Sequence, residues 1–235
     1  MPRRFVLKLG GWPVFPLLVF LGCRPAPGPL VPANATPLTI GQVTPWVTRT
    51  LPSGSTIRQF KWLFQDDRSS AGGDGRARLA APDTLRFDAR GPLGSGRMAA
   101  MVVGDRPVWA EPKETVDQIV PDYALFWAMF GVALMPGPRA SIRGLDDSGR
   151  QIWEYSLGGD TLVYVRTTQS PGKFVAEVRR SGRLFGRVET RLGEGGQPVS
   201  ARLIVPDVPA RLDITFQSTT AQSSFPPETW IAPEP

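Results

Sequence analysis

The sequence predicts a mainly β (α+β) fold: a single curved antiparallel sheet of about ten or eleven strands, forming an incomplete β-barrel lidded by short helices. Three observations predict it. From Ser55 onward apolar residues alternate with polar ones at period two, the pattern of strands with one buried face. The strand-like runs are separated by short turn signals, which favours a meander. One stretch, Tyr123–Leu134, is instead apolar nearly all the way round at helical spacing. A sheet of so many strands curls or splits. Curling around that helix covers it and creates a concave apolar interior that the chain need not fill by itself.

The first residues read as a leader. Arg3, Arg4 and Lys8 form a basic start, Trp12–Leu21 is almost wholly apolar, and Gly22 is small. The run is too short for a permanent membrane span. Phe20-Leu21-Gly22-Cys23 looks like the lipobox of bacterial lipoproteins, in which cleavage before the cysteine leaves a lipidated N-terminus. An ordinary secretory signal with an incidental cysteine is the alternative. The expected organisation is a signal peptide at 1–22, a flexible Pro-rich tether at 23–37 and one domain at 38–235 that ends in a Pro-rich tail.

Composition excludes several functions. The chain has 27 Lys and Arg against 21 Asp and Glu, and the leader holds three of the basic groups and no acidic ones. What remains is 24 against 21, scattered along alternating strand positions, so no nucleic-acid partner is expected. There is no histidine and only one cysteine, which removes the usual general base, zinc sites and disulfides. The acidic pairs Asp66-Asp67 and Asp146-Asp147 sit beside turn residues, where aspartate serves backbone hydrogen bonding. No enzyme, metal or cofactor is expected.

Taken in order, Leu38–Leu51 allows a short helix if Pro45 lies near its first turn or breaks it. Phe60, Trp62 and Phe64 share one strand face, Gly72-Gly73-Asp74-Gly75 reads as a turn, and Ala77 and Leu79 face inward between arginines. Leu85, Phe87 and Ala89 alternate with Arg86, Asp88 and Arg90, Met98–Val103 continues as an apolar strand, and Val108-Trp109 makes a short one. Pro112–Val120 resembles the first turns of a helix, and the apolar helix after it should stop at Gly137 and its flanking prolines. Seven further strands follow, at 141–143, 151–156, 161–167, 173–180, 183–191, 199–205 and 210–218.

This order of elements on a lipidated chain resembles the LolA/LolB superfamily of lipoprotein carriers, with the outer-membrane receptor LolB the nearest likeness. The likeness covers about Thr56–Phe216 and has one sharper motif, Gly91-Pro92-Leu93-Gly94-Ser95. The resemblance implies that this turn presents an exposed leucine for membrane insertion, with Leu93 held between Pro92 and Gly94; packing of Leu93 on a strand end is the alternative. Trp127 and Gly131 match the helical lid segment of that family. Arg24 after the cysteine is not the aspartate that retains many lipoproteins in the inner membrane, so residence at the periplasmic face of the outer membrane is implied. The long tether, the glycine-rich turn and the proline-rich tail depart from the LolB pattern.

The expected function is noncatalytic lipid handling. Phe60, Trp62, Phe64, Leu85, Phe87, Phe126, Trp127, Met129 and Phe130 would wall a cavity for the acyl chains of lipoproteins or lipids. The implied partners are the membrane, through the N-terminal lipid, and a periplasmic carrier protein. The alternative is a structural or partner-binding envelope lipoprotein of the same fold, in which every one of these aromatics is ordinary core.

Overall fold

The computed structural model describes residues 29–91, 96–167, 169 and 171–233. Cys23, the leader and the Pro92-Leu93-Gly94 turn lie outside the described residues.

After a two-residue strand β1 (Thr36–Pro37) and helix α1 (Ile40–Thr48), the first meander runs through β2 (Ser55–Gln65), β3 (Ser70–Ala80), β4 (Thr84–Arg90), β5 (Arg97–Val103) and β6 (Arg106–Glu111). Helices α2 (Lys113–Ile119) and α3 (Tyr123–Met129) follow. The second meander is β7 (Ser141–Asp147), β8 (Arg150–Leu157), β9 (Asp160–Thr167), β10 (Gly172–Arg180), β11 (Arg183–Leu192), β12 (Pro198–Val205) and β13 (Ala210–Gln222). Among the described residues these strands form one thirteen-stranded sheet in the order β1-β7-β8-β9-β10-β11-β12-β13-β2-β3-β4-β5-β6, every pairing antiparallel. The sheet is open: β13 joins the two meanders by pairing with β2, while β6 and β1 are its edges.

The glycine-rich segment expected as a turn is the first half of β3. Opposite residues explain why: Phe60 faces Gly75, Trp62 faces Gly73 and Phe64 faces Ala71. A Cβ on Gly75 would lie 2.2 Å from the Phe60 ring, and one on Gly73 would lie 1.9 Å from the Arg90 carbonyl oxygen. Three large inward side chains on β2 therefore require a strand with almost none beside it. The turn is instead at Asp66–Ser69, where the Asp66 carboxylate accepts from Arg68 N at 2.9 Å and Ser69 N at 2.6 Å.

The helices differ from the sequence pattern in two ways. Pro45 lies inside α1, beyond its first turn, without ending the helix. The apolar run is helical only to Met129, because Gly131 takes a φ of +73°. Residues 130–134 then continue as non-helical chain, mostly buried. Gly137 and its prolines come after the helix has already stopped.

The described residues nearest each end of the chain pack on the outer face. Val31, in the segment expected as a tether, is buried with Ile152, Val163, Val165 and Val175. At the other end Arg86 Nη1 donates to the carbonyls of Thr229 (2.7 Å) and Ile231 (2.9 Å), and Trp109 Nε1 donates to that of Trp230 (2.9 Å). The tail thus lies across β4 and β6. No helix among the described residues is long and apolar enough to cross a membrane.

Candidate functional site

All nine aromatic and aliphatic residues expected to wall a cavity are buried in one core cluster inside the curved sheet. The alternation of β2 and β4 sends Phe60, Trp62, Phe64, Leu85 and Phe87 inward, and α3 lays Phe126 and Trp127 against them. Phe126 contacts Phe87 with ring centroids 4.8 Å apart and Phe130 at 5.3 Å, and Phe130 meets Phe60 at 6.0 Å.

This interior is largely filled by the chain itself. Phe60, Trp62, Phe87 and Phe126 bound a cleft of only about 10 Å³. That is too small for one methylene chain. Phe64, Leu85, Trp127, Met129 and Phe130 do not line it. The expectation of a hollow left open by the sheet gives way to close packing of rings from both sides.

Beside the cleft lies a larger hollow of about 460 Å³ with mostly apolar walls, within the size range of ligand sites of roughly 300–1,000 Å³. Trp62, Ala89, Met98 and Ile119 belong to both, so the cleft and the hollow share a wall. Pro112 and Thr115 of the α2 region complete one side of the hollow. Gly91 and Gly96 complete another; Gly91 N donates to Gly96 O at 3.2 Å, closing the base of the 92–95 connection. Met98, Pro112 and Ile119 were not singled out from sequence. Met98 opens an apolar strand and Ile119 follows Val116 at helical spacing, but their convergence depends on β5 and α2 meeting in space.

The two helices over the interior are held differently. Trp127 Nε1 donates to Gly104 O at 2.7 Å, Thr190 Oγ1 to Ala128 O at 2.7 Å and Arg58 Nη1 to Phe130 O at 2.7 Å. Ala133 N donates to Thr50 Oγ1 at 2.8 Å, and Leu134 N to Tyr164 Oη at 3.1 Å. α3 and its continuation are therefore bolted to the sheet through buried polar bonds. By contrast α2 buries only Val116 and Ile119, and its side-chain link to the sheet is an exposed bond from Gln118 Nε2 to Asp66 Oδ2 at 3.2 Å.

One polar atom stands out in the apolar wall. Trp62 is 8% exposed, and its Nε1 has no hydrogen-bond partner among the described residues. Among those residues no group of three or more His, Cys, Asp or Glu side chains is placed to hold a metal ion.

No protein-family model matches the chain, and no curated protein does. Solved structures similar to it include a LolA superfamily protein from Nitrosomonas europaea, at 9% identity and a TM-score of 0.47 over 83% of this chain and 98% of the other. A putative outer membrane lipoprotein-sorting protein domain from Vibrio parahaemolyticus is similar at 8% identity and a TM-score of 0.35, over 81% and 94%. The Pseudomonas aeruginosa MucA/MucB complex contains a chain similar at 13% identity and a TM-score of 0.26, over 83% and 61%. At this level of similarity the functional reading rests on the site.

Proposed function

We propose that this chain is a lipid-anchored protein of the bacterial outer membrane that takes acyl chains of a lipoprotein or lipid into the groove beneath α2 and helps deliver them to the membrane. The observation that carries this reading is the shared wall: a narrow apolar cleft continues into a much larger apolar hollow, and the helix across the boundary is the weakly held one. A chain of about ten methylenes contributes about 8 kcal/mol on burial. Lifting α2 exposes Val116 and Ile119, at a cost of about 3–6 kcal/mol together. Entry from water is favourable by that comparison, and transfer from a carrier needs only a difference in affinity between the two sites. An acyl ester would also offer its carbonyl to the unpaired Trp62 Nε1.

Leu93 fits the delivery step, because Gly91 and Gly96, the described residues that flank it in sequence, border the hollow. Leu93→Glu is expected to leave folding intact and impair transfer of a lipoprotein into vesicles; unchanged transfer removes Leu93 from the mechanism.

The filled interior favours a second reading, a noncatalytic partner-binding or structural envelope protein. Uptake of a fluorescent fatty acid, with mass spectrometry of copurifying lipid, separates the two. Saturable uptake or bound lipid supports the carrier. A folded, lipid-free protein that takes up none supports the alternative.

A further inference from the structure

We propose that the end of the sheet where β2 and α1 meet carries a binding site for a phosphate group, formed by Arg49, Arg58 and Arg166. The site is separate from the apolar groove and independent of the carrier reading.

The three guanidiniums line one hollow of about 200 Å³, and no carboxylate lines it with them. Several other arginines meet an acid: Arg86 with Asp88 at 2.8 Å, Arg143 with Glu154 at 2.6 Å, Arg179 with Glu177 at 2.7 Å and Arg202 with Asp213 at 2.6 Å. Arg49, Arg58 and Arg166 form no ion pair among the described residues. Their placement follows from the strands. Arg58 continues the inward row of Phe60 and Trp62 on β2, and Arg166 continues that of Tyr164 on β9, so the inner face turns cationic where the sheet ends.

Arg58 is 7% exposed. Its Nη1 donates to Phe130 O and its Nη2 to Gln197 Oε1 at 3.4 Å, but Nε has no partner. A buried cation with neutral partners alone is costly, and burial pushes the Arg58 pKa down to about 10. Burial and then the neighbouring Arg49 also pull Arg166 below its usual value. An anion in this hollow would offset the repulsion between Arg49 and Arg166 and give the buried Arg58 a counter-charge.

The ligand class follows from the donors. A carboxylate offers two oxygens, whereas a phosphate offers enough to meet several guanidinium forks at once. Gly195 and Gly196, both at positive φ, form part of the rim and leave it free of side chains. An adjoining hollow of about 310 Å³ shares Arg49 and Arg166 with the first, leaving space for the group that the phosphate esterifies.

The test is calorimetric titration of the full chain in non-ionic detergent with inorganic phosphate and, separately, with dihexanoyl phosphatidic acid. Arg49 is exposed and Arg166 half-buried, so Arg49→Gln and Arg166→Gln should fold, which thermal melting verifies. Saturable binding is expected, weakened by about tenfold or more in each variant. Arg183→Gln, at an exposed arginine paired with Asp207, should leave it unchanged. Phosphate should also raise the melting temperature of the unsubstituted chain, a readout independent of the variants. Comparable affinity for the two ligands assigns free phosphate, and markedly tighter lipid binding assigns a headgroup; both support the site. No saturable binding of either ligand up to about 10 mM overturns it. So does binding undiminished in both variants.

Discussion

The part of the interior under α3 and the part under α2 are lined by the same kinds of side chain, yet only the first is closed. Under α3 the rings of Phe60, Phe87, Phe126 and Phe130 interlock, and the backbone from Ala128 to Leu134 is held by hydrogen bonds donated by Thr190 and Arg58 and accepted by Thr50 and Tyr164. Under α2 a hollow remains, and two apolar side chains hold the helix. Apolar surface sets how much can be buried, while the polar bonds decide which cover stays in place. Breaking buried polar bonds leaves desolvated groups without partners, a cost that peeling off a small apolar contact does not carry. Any opening of the interior should therefore begin at α2.

The largest effect expected is that of Trp127→Ala. This side chain is fully buried and also bonds Gly104 O, so its loss creates a cavity and leaves an acceptor unpaired. A loss of about 4 kcal/mol in denaturant unfolding is expected. A loss below about 1 kcal/mol would mean that α3 is no better anchored than α2.

Gly75→Val ranks next and probes the strand beneath both regions. The new side chain would enter the Phe60 ring, and a cost of about 3 kcal/mol is expected from the same measurement. This position also shows where the sequence was legible and where it was not. Period-two runs identified β2, β4 and most strands of the second meander, because alternation is local. Glycines at 72, 73 and 75 carry the same local signal in a tight turn and in a strand making room for aromatic rings. Only the register with β2 distinguishes them, and register is a long-range property. The apolar helix was legible in kind but not in length, since Gly131 ends it before the apolar pattern does. The nine expected wall residues are all buried in the core. That their rings would close it, and that Met98, Pro112 and Ile119 would border the remaining opening, depends on packing between elements far apart in sequence.

Ile119→Ala should show the contrast most directly. It trims the wall shared by cleft and hollow, at a cost of about 2 kcal/mol, the low end for such a change because the site adjoins open space. Fatty-acid uptake should rise as the cover loosens. In hydrogen exchange, α2 amides are expected to open at lower free energy than those of α3 in the unsubstituted protein, and Ile119→Ala should widen that gap. Equal protection of the two helices would remove the distinction between them.

The smallest effect concerns the start of α3. Asp122 caps the helix, accepting from Leu125 N at 3.0 Å, and pairs with Arg180 at 3.3 Å. Burial raises its pKa above the usual 3.8, against the opposing pull of the Leu125 hydrogen bond and Arg180. Because the folded value exceeds the unfolded one, the folded protein holds this proton more tightly. The stability that comes with it is fully present below the unfolded pKa and is lost as pH rises through the folded one. Asp122→Asn keeps a capping oxygen but does not titrate. Relative to that variant the unsubstituted chain should gain stability as pH falls through the range just above and around 4, measured by denaturant unfolding of both between about pH 3 and 6. A difference running the other way would mean that the pair with Arg180 outweighs burial, and that an ion pair anchors α3 at its first turn in addition to the hydrogen bonds along its continuation.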